Sequence, residues 1–270
     1  MKLIFVIVAA ILILENRKVI VAGIRRHSTA EPFTFNQQMF DLVSWIVQIL
    51  FFVEIVIVVQ SINPSVSTLL KPLREMLTID IGQFFPSQKF LGFVLSLFLF
   101  FGLWDFFQYW THRLLHYGRF YDVLHRFHHG TKMYVLTTFR HHPLEILFVN
   151  FTITIPTASI YAIVFPSGNF TVFWHLATIQ SLLLHSSLTF PRIPIFSDLI
   201  FFPNHHHLHH QLDRSRISNF GQYFTVWDRL FGTYEDPYRL SEAKGSTGNN
   251  YSAKDNFNQL FWRWSTKSER

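Results

Sequence analysis

The chain contains no cysteine. That absence excludes disulfide scaffolds, iron–sulfur clusters, thiolate-ligated haem, cysteine zinc sites and a thiol nucleophile, so any bound metal must be held by nitrogen or oxygen. Charge is also scarce: 15% of the 270 residues are Asp, Glu, Lys or Arg, against 49% apolar and 18% aromatic residues. A balance this apolar points to a membrane protein. Zinc-finger, P-loop and GxGxxG patterns are missing too. No nucleotide site and no nucleic-acid partner are therefore expected, although the net charge is +6.

Long apolar runs are what the chain has instead. A span needs about 20 apolar residues, because a helix rises about 1.5 Å per residue through roughly 30 Å of hydrocarbon. Residues 40–60, 90–110, 146–165 and 170–190 qualify; the first carries Asp41 and Glu54, the second carries Asp105, and the last two carry no formal charge. Pro166, Ser167, Gly168 and Asn169 separate the last two as a tight hairpin. The run Leu3 to Leu14, ending at Glu15, is shorter and reads as an uncleaved membrane-associated helix.

The expected fold class is therefore all-α: an integral membrane protein of about four transmembrane helices plus an N-terminal helix, with a helical cap. The loop between the first two spans holds Lys71, Arg74 and Lys89, whereas the segments on the opposite side, from residue 111 onward, hold fifteen Lys and Arg. The positive-inside rule then places the cap and the C-terminus in the cytosol. Residues 1–89 form an N-terminal membrane part, 90–236 the catalytic part, and 237–270 a polar tail.

Fifteen histidines are the second excess, and their spacing is not random. His112 and His116 form HxxxH; His125, His128 and His129 form HxxHH; His206, His209 and His210 form a second HxxHH. Spacings of three and four put side chains on one helical face about 5–6 Å apart, so each motif offers imidazoles to one point. His142 lies just before the third span and His185 near the same membrane face at the end of the fourth, while His175 and His27 lie apart. His141, His205 and His207 read as supporting or exposed residues.

Eight histidines in three motifs, with His185 and His142 as additions, exceed what one metal can use. Imidazole ligation suits iron, zinc, copper or nickel. Zinc needs only three or four ligands, so the surplus favours two irons doing oxygen chemistry. A zinc-binding membrane protein without oxygenase activity is the alternative. Candidates to orient the ligand rings are Asp105, Asp122, Glu145, Asp213, Asn219 and Asp228. Asp105 is singled out because it lies inside a Phe-rich span two turns before His112. Phe93, Leu97, Phe101 and Trp104 share one face of that span and are candidate lining for a lipid tunnel.

These residues resemble the fatty acid hydroxylase and sterol desaturase superfamily of membrane di-iron oxygenases, over roughly residues 90–236. The likeness rests on HRLLH at 112–116, HRFHH at 125–129, the stretch Arg140 to Glu145, His185-Ser186-Ser187, and Pro203 through His210. Asn219-Phe220-Gly221 and the run from Trp227 to Tyr234 complete it. Ser181 stands where fatty-acyl 2-hydroxylases carry a further histidine, which shifts the likeness towards the sterol-desaturase side and leaves the ligand count between eight and ten. The resemblance implies two Fe ions, O2 as co-substrate, and hydroxylation or desaturation of a sterol or other lipid drawn from the bilayer. It also implies electrons from a separate cytochrome b5, ferredoxin or reductase-type protein.

Overall fold

The computed structural model describes residues 2–16, 25–26, 39, 41–43, 46, 89–130, 133–164, 170–210 and 217–239. Most of residues 40–60, and with them Glu54, lie outside the described residues, as do His27, Asp213, the turn 166–169 and the tail beyond residue 239.

The described chain is mostly helical. Helix α1 (Lys2–Asn16) is followed by a two-residue strand β1 (Arg25–Arg26) and the long α2 (Lys89–Leu115). Residues 118–129 run on as α3, whose middle (Tyr121–His125) is wound as a π-helix. A 3-10 turn (Val135–Phe139) leads to α4, residues 143–164, again with a π segment at Asn150–Thr154. Then come α5 (Phe170–His185), β2 (Leu188–Thr189), α6 (Phe196–Leu199), α7 (Pro203–His209) and α8 (Val226–Leu230). The strands pair antiparallel, Arg25 with Thr189 and Arg26 with Leu188.

Among the described residues two helices are long and apolar enough to cross a membrane, Phe90–Leu115 and Pro143–Tyr161. Within the expected span 170–190, helix α5 ends at His185, five residues before the end of the apolar run. Its end is fixed by polar contacts: the Ser186 hydroxyl donates to the Leu183 carbonyl, and Leu188 and Thr189 are already strand.

Packing places the histidine-bearing helix ends together. Phe100, Phe101, Tyr161, Phe173, Ala177 and Tyr223 form one buried cluster, flanked by Leu97 and Trp104. The face expected to line a tunnel is thus largely occupied by ring-on-ring contact, as between Phe101 and Tyr223 at 4.6 Å. Helix α1 buries Val8 and Ile11 against Tyr134, Val135, Leu136, Leu182 and Leu188. It belongs to the same core as the C-terminal half of α5.

Candidate metal centre

Among the described residues the structure gathers nine histidines into two groups. His112, His116, His125, His129 and His209 form the first; His128, His185, His206 and His210 form the second. Within each group the donor nitrogens all lie within 4.8 Å of one another. All nine are buried except His116, which is partly so.

Each HxxHH motif divides between the groups. In α3 the residues at i and i+4, His125 and His129, enter the first group, and His128 enters the second. In α7 the assignment is reversed: His206 and His210 enter the second group, and His209 crosses to the first. Spacing alone leads one to expect each motif to serve a single point. Positions i+3 and i+4 differ by about 100° around a helix, however, so two adjacent centres can draw on one motif.

The tautomers follow from the outer ring atoms. The Nδ1 atoms of His112 and His209 face the backbone carbonyls of Phe220 and Ser218 at 3.0 and 2.7 Å. Those of His128 and His185 face the carbonyls of Arg140 and Ser181 at 3.2 and 2.9 Å. His125 Nδ1 meets the Glu145 carboxylate at 2.7 Å. Carbonyls and carboxylates only accept, so each of these Nδ1 atoms carries the hydrogen and, in the neutral ring, Nε2 presents a bare lone pair.

Those lone pairs point at one another. His112 Nε2 lies 3.1 Å from His125 Nε2, and His128 Nε2 lies 3.1 Å from His185 Nε2. Two acceptors at that distance in a buried site repel unless a cation lies between them. Protonating the rings is opposed: burial, followed by the neighbouring histidines, holds His128, His129, His206 and His210 well below the usual imidazole pKa, and burial takes His209 down to about 3. Two nitrogens about 2.1 Å from one ion lie roughly 3.0 Å apart at a right angle. The remaining Nε2 contacts, His116–His209, His206–His185, His129–His125 and His210–His206, measure 3.0, 3.0, 3.1 and 3.1 Å. The donor set and its spacing fit a pair of nitrogen-ligated transition-metal ions.

The other expected site residues divide clearly. Glu145 orients His125 directly. Asp105 holds no histidine; it accepts the backbone N–H groups of Gln222, Tyr223 and Phe224 at 2.6, 2.9 and 3.0 Å. Asp228 accepts those of Phe220 and Gly221, both at 2.8 Å. Together the two carboxylates fasten the loop whose carbonyls hold His112 and His209. Asn219 acts through its backbone: a left-handed φ of 59° turns the chain between Ser218 and Phe220. Its side chain is tied to Glu235 by paired bonds of 3.0 Å. Asp122 is exposed and does not orient a ligand ring.

His142 stands outside both groups, its Nδ1 accepting the Leu144 N–H as the N-cap of α4. His141 stacks on His128, with centroids 4.5 Å apart and planes at 8°, and His207 Nε2 donates to the Ser186 carbonyl at 2.6 Å. His205 is fully buried, yet its Nδ1 accepts the Phe202 N–H. His175 is in neither group.

Comparison with known proteins accords with this geometry. The family described as fatty acid hydroxylase matches residues 97–233, about half of the chain and all nine gathered histidines. A lathosterol oxidase of Rattus norvegicus is 32% identical over 188 residues, 67% of this chain and 58% of the relative. A sphingolipid C4-hydroxylase of Schizosaccharomyces pombe is 31% identical over 167 residues, 59% of this chain and 55% of the relative. A very-long-chain aldehyde decarbonylase of Oryza sativa subsp. indica is 32% identical over 173 residues, 59% of this chain and 64% of the relative. The chain thus spans a little over half the length of these curated relatives, and no solved structure matches it. The chain belongs to the fatty acid hydroxylase family.

Proposed function

We propose that the protein oxidises an unactivated C–H bond of a sterol or other membrane lipid with O2, at two irons held by the nine gathered histidines. The observation that carries this reading is the set of facing Nε2 nitrogens 3.0–3.1 Å apart, in two adjoining groups made up of histidines alone among the described residues. Bound iron would supply the oxidising power that no side chain possesses. The chain's own residues hold five of the nine rings in one tautomer, through Glu145 and the carbonyls of Phe220, Ser218, Arg140 and Ser181, and exclude water by burying them.

The activities for which the relatives are named, a lathosterol oxidase and a sphingolipid C4-hydroxylase among them, support a lipid substrate and an oxidative reaction. Lateral entry from the bilayer suits such a substrate. In this reading the protein crosses the membrane several times, with the histidine face and the C-terminus in the cytosol, where a cytochrome b5, ferredoxin or reductase-type partner delivers electrons.

Metal analysis of protein purified without chelator tests the reading, together with lipid mass spectrometry of cells with and without the gene. Two irons per chain and an O2-dependent lipid product are expected. Zinc in place of iron, with no such product under a reducing system, would sink the oxygenase and favour a histidine-rich metal-binding protein.

A further inference from the structure

Two buried carboxylates that precede the family-matched stretch reach the frame of the second histidine group. Glu15, at the end of α1, accepts the N–H of Ser187 at 2.6 Å and that of Val135 at 3.1 Å. Ser187 is two residues beyond His185, and Val135 opens the turn that leads to Arg140. Asp41 accepts from Arg140 Nη1 at 2.9 Å and from the Tyr134 hydroxyl at 2.6 Å. Arg140 in turn donates from Nε to the Phe127 carbonyl, lies over the Phe127 ring at 4.5 Å, and offers its own carbonyl to His128 Nδ1.

Both acids therefore act on one half of the centre. His128 and His185 are the second-group ligands whose rings are fixed by backbone carbonyls; Asp41 grips the residue that fixes His128, and Glu15 grips the segment that carries His185. Strand β1 adds a third tie to this segment by pairing with Leu188 and Thr189. The first group hangs on other supports, Glu145 and the loop fastened by Asp105 and Asp228.

We propose that Glu15 and Asp41 are positioning residues for the second metal, which makes the N-terminal segment a working part of the centre and not only its covering. This rests on the metal-binding reading above. Anchoring α1 by packing alone would not require a carboxylate: Val8 and Ile11 already bury its apolar face, and a buried acid is costly unless its oxygens are engaged. Both carboxylates are engaged at residues that lead to a ligand.

The test is Co2+ titration of the metal-stripped, full-length protein in detergent, followed by absorption. The wild type should take up two ions per chain in two affinity classes, which His209→Ala and His210→Ala assign to the first and second groups. Glu15→Leu and Asp41→Asn should each weaken the second-group class about 10–100-fold and spare the first. Val8→Ala, which loosens the same helix without touching a carboxylate, should leave both classes unchanged. The proposal is overturned if the two acid variants bind as the wild type does, if both classes fall together, or if Val8→Ala has the same effect. Should Glu15→Leu not yield monodisperse protein, Asp41→Asn alone decides. Wild type that takes up no Co2+ would instead overturn the metal reading itself.

Discussion

Glu145 and His125 meet at 2.7 Å, and the same carboxylate oxygen lies 3.1 Å from His141 Nδ1. One acid thus touches a gathered histidine and a ring that stacks on a histidine of the other group, since His141 lies flat on His128. Replacing it with Ala removes the acceptor that fixes the His125 tautomer. Glu145→Ala is expected to lower metal affinity of the first group about 10–100-fold, and a metal titration of the variant checks it.

Asp105 supports the centre at one remove. Its two oxygens take three backbone N–H groups of the loop that carries Phe220, and Asp105→Leu leaves all three without an acceptor. Each unpaired buried N–H costs about 1–3 kcal/mol. The expected outcome is a lower melting temperature with faster amide exchange at residues 222–224. Unchanged protection there would show that the loop is held by other means.

Gly221 is a packing necessity in that loop. A Cβ added there would sit 2.9 Å from the Phe224 carbonyl oxygen and from the Phe201 ring, and 3.1 Å from Asp228 Oδ2. Gly221→Ala should therefore push the loop away from His112 and cost about 1–3 kcal/mol in stability. Thermal unfolding gives the magnitude, and metal content shows whether the Phe220 carbonyl still fixes His112.

Much of this centre was legible in the sequence, because transition-metal ligation needs particular side chains at helical spacing. His112, His116 and the two HxxHH motifs announce themselves in that way. The backbone carbonyls that fix four of the rings do not, since every residue has one and only the fold decides where it points. Asp105 was visible as an acid in an apolar run but not as a loop anchor: the fold brings residues 222–224 beside it from 117 or more positions away. His142 is placed near the others by sequence position, yet lies outside both groups, its Nδ1 accepting the N–H of Leu144 two residues on. Glu15 and Asp41 showed only as acids at the edges of apolar runs.

Acid should unfold the metal-free protein through its buried histidines. Burial takes His205 down to about 4 and His209 to about 3, while the unfolded chain titrates near 6.5. With the folded pKa depressed, the unfolded state binds more protons below about 6.5. Stability is therefore full above that pH and falls as the pH drops towards 4 and 3. The melting temperature of stripped protein should be flat between about pH 7 and 8 and decline steadily below 6.5. A melting temperature that rose on acidification would contradict the burial of neutral rings.

The crossing of His209 makes a prediction that sequence grouping would get wrong. By position, His209 belongs with His206 and His210; by geometry it shares a centre with His125, its Nε2 lying 3.0 Å from that of His116. Residues that hold one ion act as a unit, so their losses are not additive, whereas residues of separate centres lose independently. His209→Ala should weaken one class of metal site. Adding His125→Ala should leave the other class intact, and adding His206→Ala should remove it as well. The reverse pattern, with His209 and His206 behaving as one unit, would mean that each motif serves its own metal and that the exchange of histidines between α3 and α7 is absent from the working protein.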